Sequence, residues 1–399
     1  MKEKNTLEFG GLNQPLVEEL KNKIYEILIS QGFSIIDDKI IPVSDDKDFI
    51  RRLHRTSVEY LIEKNKNFIE KVDEKFILKY IIDGKDLDLR NIQPQLILIE
   101  NKEQNSLFNW IKLHWSIPIS SGYGRRLRYI VYDKGNSAII GIIGFADPVF
   151  ALKDRDKFMG WDYEIKKRNL KHVMDAFVLG AVPPYSMILG GKLVASLATS
   201  QRIVRDFRIK YEGRKTIISG ETFNGKLAVI TTASALGKSS IYDRLKIPNG
   251  PEFLHAGWSK GSGEFQFLNY LYDQIFDLAK DIASKSKNPK WGRGVRNRRS
   301  VIKASLKILG LPESFLYHNI KRELFIVPLG KKSIKFLRGE SSQVQYYKLT
   351  DQEISDFALR RWVIPRSERD NSYLRFHKYQ YSLLPHIEKI DICNNISKL

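Results

Sequence analysis

The segment 126–145 constrains this chain more than any other. Arg126 to Tyr132 and Ala138 to Phe145 are extended, largely apolar runs, and Asp133-Lys134-Gly135-Asn136 lies between them. Turn-forming residues between two such runs specify a β-hairpin, because Gly and Asn accept the backbone angles that reverse the chain. The fold therefore contains β-sheet.

The residues around the hairpin extend this reading. Val173 to Val182 is an apolar run, Pro183-Pro184 breaks it, and Gly190-Gly191-Lys192 opens a helical pattern from Leu193 to about Lys210. Lys215 to Ser219 reads as a short β-branched strand, and Leu227 to Leu245 carries small apolar residues at helix-compatible spacing. Upstream, Leu16, Leu20, Ile24, Ile27 and Leu28 share one helical face, and amphipathic stretches follow at 48–64 and 68–82. His54, beside Arg51, Arg52 and Arg55, reads as part of a solvated helix face. Downstream, a helix is expected over Leu268 to Ala283 and a strand over Glu323 to Leu329. The expected class is α/β (α+β): a helical region over 1–95, a mixed-sheet core over 96–250, and a basic α+β module over 251–399.

Composition narrows the partners. With 42% hydrophobic and 11% aromatic residues the 399-residue chain is globular and long enough for more than one domain. One cysteine, Cys393, builds neither a disulfide nor a cysteine metal site within the chain, as expected in a reducing compartment. No run approaches about 18 apolar residues and Met1 to Gly11 is polar, so the expectation is a cytoplasmic protein without a membrane partner. The 66 Lys and Arg outnumber the 46 Asp and Glu, giving +20, and point to an anionic partner where the cations cluster.

They cluster most densely between Asp281 and Glu313, a stretch without an acidic residue. Lys285, Lys287, Lys290, Arg293, Arg296, Arg298, Arg299 and Lys303 surround Trp291, with Gly292 and Gly294 permitting close backbone approach. Guanidinium forks grip phosphate and an indole stacks on a base, so these residues are the expected nucleic-acid contacts, with DNA the foremost partner. Acids gather at Asp147, Asp154, Asp156, Asp162 and Glu164, but Lys153, Arg155, Lys157, Lys166, Lys167 and Arg168 interleave with them. Mixed charge of that kind reads as an ion-paired surface, so no metal site is expected, although Asp162 remains a candidate carboxylate for hydrolytic chemistry. Glu221, directly after a strand, is a second candidate catalytic carboxylate.

Two resemblances follow from these motifs. The order hairpin, strand, Gly-Gly-Lys turn, helix, strand, helix between Arg126 and Ile247 resembles the core of Gcn5-related N-acyltransferases. That resemblance implies an acyltransferase-like sheet, a pyrophosphate held by backbone N–H groups at Gly190, Gly191 and Lys192, and acyl-CoA as cofactor. It also matches Tyr242 to a tyrosine that protonates a leaving thiolate, with Lys246-Ile247 where the family carries Gly-Phe. More of the chain, from Phe108 to Lys246, resembles the DruA-like family. His114-Trp115, Gly124-Arg125-Arg126-Leu127-Arg128-Tyr129, Arg155-Asp156-Lys157-Phe158-Met159-Gly160-Trp161, Arg168-Asn169-Leu170, Asp206-Phe207 and Glu221-Thr222-Phe223 carry it. It implies a component of the Druantia anti-phage defence system that recognises or processes foreign DNA beside other proteins, a helicase-like partner among them. The alternatives are an active N-acyltransferase acting on nucleic acid or protein, and a metal-dependent nuclease or transposase-like enzyme.

Overall fold

The computed structural model describes residues 14–120, 122–215, 220–285 and 295–384. They form two compact units that cut across the three expected segments. One comprises 14–61, 116–118 and 260–321, and the other the described residues of 62–115, 119–259 and 322–384.

The first unit holds the helix Gln14–Gln31, an antiparallel pair β1 (Phe33–Ile36) and β2 (Lys39–Pro42), most of the helix Lys47–Lys64, and the helices Tyr272–Lys285 and Val295–Ile308. The turn between β1 and β2 puts Asp37 and Asp38 at φ 47° and 58°, a region that short polar side chains tolerate. His54 departs from the sequence expectation. It is buried, stacks on Phe265 with ring centroids 3.8 Å apart, and bonds the Ile50 carbonyl through Nδ1 at 2.8 Å. Arg52 and Arg55, two and one positions away, leave the helix in other directions and are exposed, as is Arg51.

The second unit is built on a seven-stranded mixed sheet. Its strands are β3 (Pro94–Leu98), β4 (Arg126–Asp133), β5 (Ala138–Ala146), β6 (Val173–Ala181), β7 (Val229–Ala233), β8 (Leu254–Trp258) and β9 (Glu323–Pro328), in the spatial order β3-β4-β5-β6-β7-β9-β8. The expected hairpin is β4–β5, and a buried carboxylate explains its turn. Asp133 accepts from the Gly135 and Asn136 amides at 3.1 and 3.3 Å, from the Gln93 amide at 2.8 Å and from the Tyr185 hydroxyl at 2.7 Å. Pairing is antiparallel throughout except between β6 and β7, which run parallel from Val173↔Val229 to Ala176↔Thr232.

Two expectations are corrected here. Leu227 to Leu245 is β7 followed by turns rather than a helix. A strand buried on both faces reads as a continuous small apolar run, and the β-branched Val229-Ile230-Thr231-Thr232 favours the extended form. The helix expected from Leu193 is two helices, Gly190–Leu197 and Gln201–Tyr211, separated where the Thr199 hydroxyl donates to the Ser196 carbonyl at 2.7 Å. Residues 216–219 of the expected strand Lys215 to Ser219 lie outside the described residues.

One face of the sheet packs Leu127, Tyr129 and Val131 of β4 against Leu193, Leu197, Ile203 and Phe207 of these two helices. The other face gathers Val173, Val229 and Ile326 with Met159 and Leu337. Arg125 fastens the end of the sheet where β4 starts. Its Nε meets Asp147 at 2.7 Å, its Nη1 donates to the Lys171 carbonyl at 2.7 Å, and its guanidinium lies 5.2–5.7 Å from the Phe207, Tyr211 and Phe223 rings.

His172, at the head of β6, has Nδ1 bonded to the Lys226 carbonyl at 2.8 Å and rings of Phe223 and Phe336 on either side. Burial first, then the nearby cations, push its pKa down to about 4. The unfolded chain, near the ordinary value of about 6.5, then binds the proton more readily. Its contribution to stability is full above about pH 6.5 and is lost as pH falls toward 4, by up to about 3 kcal/mol. Thermal melts between pH 7 and 4.5 should therefore show a smaller acid loss for His172→Gln than for the unaltered protein. Equal losses would refute this assignment.

Candidate nucleic-acid interface

The basic segment falls partly on the helix Val295–Ile308. Val301, Ile302, Ser305 and Leu306 face inward, the Ser305 hydroxyl donating to the Ile275 carbonyl of the neighbouring helix at 2.8 Å, while Arg298, Lys303 and Lys307 face solvent. Lys303 and Lys307, four residues apart, thus share the solvent face, while Arg298 is exposed near the N-terminal end of the helix. Within it Arg299 is half-buried, 3.3 Å from Glu264 and 5.7 Å from the Tyr317 ring, and Lys303 meets the exposed Glu313 at 2.7 Å. Burial raises the Glu264 pKa, and Arg299 and Arg298 oppose the shift. Lys287, Lys290, Trp291 and Arg293 lie outside the described residues, and Lys285 and Arg296 are placed only as helix positions.

In the second unit, the acid-rich window is a structural knot. Arg155 is 1% exposed, donates to the Val149 and Phe150 carbonyls at 2.7 and 2.9 Å, and pairs with Asp156, which Lys166 holds from its other oxygen at 2.8 Å. The Trp161 ring lies 5.7 Å from that guanidinium, and both Trp161 Nε1 and Asn169 Nδ2 donate to the Leu337 carbonyl. Asp154 accepts from the Trp258 amide at 2.8 Å, and Asp162 caps the helix Tyr163–Asn169 by accepting from the Ile165 amide at 2.7 Å. The motif Arg-Asp-x-x-x-Gly-Trp is thus a fold-building device. Among the described residues no three His, Cys, Asp or Glu side chains converge as metal ligands.

The residues matched to acyl transfer have internal partners. A Cβ on Gly190 would lie 2.6 Å from the Tyr185 carbonyl oxygen, so the glycine answers to packing. Gly191 faces Ile241, and the Lys192 ammonium donates to the Ile241 carbonyl at 2.7 Å beside the Trp362 ring. Burial lowers its pKa, with Asp243 opposing. Tyr242 stacks on Phe253 at 5.5 Å, and burial pushes its phenol up to about 12 against a hydrogen bond with Thr232. Glu221 is exposed and pairs with Lys171 at 2.9 Å. Tyr242, Glu221 and Asp162 each have a partner of their own: Thr232, Lys171 and the Ile165 amide.

Sequence reasoning passed over Asp175. It sits on β6 opposite Thr231, whose hydroxyl donates to it at 2.7 Å, and burial pushes its carboxyl up to about 6 while Arg155 opposes. A lone acid in an apolar run does not by itself mark a site. A cleft of about 700 Å³ lies elsewhere in this unit, lined by Gln95, Gln201, Arg202, Arg205 and Thr350, with Asp206 holding both arginines at 3.4–3.5 Å.

A mixed sheet with a buried Arg-Asp-Trp knot and cations displayed on helices defines a class of basic α+β protein without an assembled metal site among its described residues. The chain belongs to the DruA family: the family model described as Druantia protein DruA matches residues 44–339. A Druantia protein DruA of Escherichia coli (strain UMEA 4076-1) is 36% identical over 360 residues, covering 89% of each chain. No solved structure matches.

Removing Arg155 would leave Asp156 and two carbonyls short of their donor. Arg155→Met should lower unfolding free energy by about 3–5 kcal/mol, with loss of cooperative melting as the more severe form of the same result. A change below about 1 kcal/mol in chemical denaturation would show that the knot is dispensable.

Proposed function

We propose that this protein is a component of the Druantia anti-phage defence system that recognises or processes foreign DNA. The defence assignment rests on the family, whose matched relative bears that name. The observation that carries the nucleic-acid reading is the acid-free run between Asp281 and Glu313, in a chain of formal charge +20, part of which presents Arg298, Lys303 and Lys307 along one helix. Lysine and arginine held close together release condensed counterions from phosphates, which is the main source of sequence-independent affinity. Membership of a multi-protein system favours other defence proteins as partners, a helicase-like one included. A cytoplasmic site of action fits the target, and among the described residues no helix is long and apolar enough to cross a membrane.

The acyltransferase-like reading of the core is supported by the succession of the β4–β5 hairpin, β6, the helix opened by Gly190 and the parallel β7. The internal partners of Lys192 and Tyr242 favour that core as a scaffold over one that turns over acyl-CoA. Calorimetry with acetyl-CoA should show no heat. Saturable heat that disappears in Lys192→Met would overturn the scaffold reading.

Fluorescence anisotropy with labelled duplex and single-stranded DNA across a salt series tests the main proposal. Binding should weaken steeply with salt, and Arg298→Ala should lower the slope of log affinity against log salt by about one. Arg299→Ala should also lower the melting temperature, because it strands the half-buried Glu264. Absent or salt-insensitive binding would reject the proposal.

A further inference from the structure

A second group of cations lies far along the chain from the basic segment, where β4 begins. Arg126 and Arg128 are two residues apart on one strand, so their side chains leave the same face. Lys112, the last residue of the helix Lys102–Lys112, stands close enough for both arginines to lower its pKa after burial has done so first. Lys210 and Arg214 come from the end of the 201–211 helix and the turn after it. Tyr211 locks these pieces together: its hydroxyl bridges the Arg126 backbone, accepting from the amide at 2.7 Å and donating to the carbonyl at 2.8 Å.

Three of these cations donate to neutral oxygens. Arg126 donates to the Gly122 carbonyl at 3.0 Å, Arg128 to the Asn105 amide oxygen at 2.6 Å, and Lys210 to the Arg126 carbonyl at 2.9 Å. Among the described residues none of these three closes an ion pair, and Glu100 is the acid that acts on Lys210 from a distance. Burial followed by mutual repulsion lowers the Arg128 and Lys210 pKa values as well. Other cations of the protein are paired with acids: Arg125 with Asp147, Arg155 with Asp156, Arg299 with Glu264. Like charges held together cost stability in the free protein, and an anion seated among them offsets that cost.

We infer that Lys112, Arg126, Arg128 and Lys210 form a phosphate-binding site at the start of β4, filled by the backbone of a nucleic-acid strand. The inference rests on the nucleic-acid reading above for the source of the phosphate. Tyr123 favours a strand over a free phosphate, because it is 49% exposed on the loop whose Gly122 carbonyl Arg126 grips, and an aromatic beside clustered cations stacks on a base. Arg214, 5.5 Å from the Tyr211 ring, extends the cationic surface along the same edge.

Arg126→Gln and Lys210→Gln test the site, with Arg298→Ala as the comparison. Each glutamine variant should melt at or above the temperature of the unaltered protein, since repulsion is relieved, while the salt slope of DNA binding falls by about one. Inorganic pyrophosphate should raise the melting temperature of the unaltered protein more than that of either variant. If the unaltered protein binds DNA and both variants keep its affinity and slope, the site is overturned while the functional reading stands. If no nucleic acid binds but pyrophosphate still stabilises the unaltered protein selectively, the site stands with a free phosphate as its source and the functional reading fails. Neither response would overturn both.

Discussion

Arg125 is the interaction on which the geometry of the sheet end depends. One guanidinium takes its counterion from β5's exit at Asp147, its neutral acceptors from the approach to β6, and its aromatic surroundings from the 201–211 helix. A charge this far from bulk water is tolerated because each of its faces and edges is satisfied. The consequence reaches beyond stability. With Arg125 fixed and Tyr211 bonded to the backbone of the next residue, the strand that carries Arg126 and Arg128 is anchored beside Lys210. A flexible surface would let such side chains separate into water, so rigidity is what turns a local excess of charge into a recognition element.

The protein thus treats its cations in two ways. Those that build the fold are paired, as Arg155 with Asp156 and Lys192 with two backbone carbonyls. Arg298 and Lys307 of the 295–308 helix and the cations at the start of β4 are displayed, the latter by strand geometry, while Arg299 and Lys303 of that helix pair with Glu264 and Glu313. Phosphate recognition through displayed charge supplies affinity and orientation rather than sequence preference. That suits the proposed contact with foreign DNA of any sequence.

Much of this was legible in the sequence. The β4–β5 hairpin was readable because its turn chemistry is local, and β6 and β9 because a buried strand is a largely apolar run. The same rule misled at 227–245, where small buried residues fit a helix or a central strand equally well. His54 was misread because neighbours in sequence do not report which helix face is buried. The basic segment 285–307 announced itself by density, whereas Lys112, Arg126, Arg128 and Lys210 belong to three elements that only the sheet brings together. The Arg-Asp-x-x-x-Gly-Trp motif was visible as a family mark, but its role in holding the 149–169 region to Leu337 required the coordinates.

On the proposed function, displayed cations, and not the paired ones, meet nucleic acid. Lysine footprinting by mass spectrometry, acylating the protein with and without a single-stranded or duplex oligonucleotide, tests it residue by residue. The account predicts slower labelling of Lys210 and Lys307 on DNA, with Lys246, whose side chain is 66% exposed and paired to Glu252, unchanged. Equal labelling of all three with and without DNA, at a salt concentration where binding is measured, would contradict it.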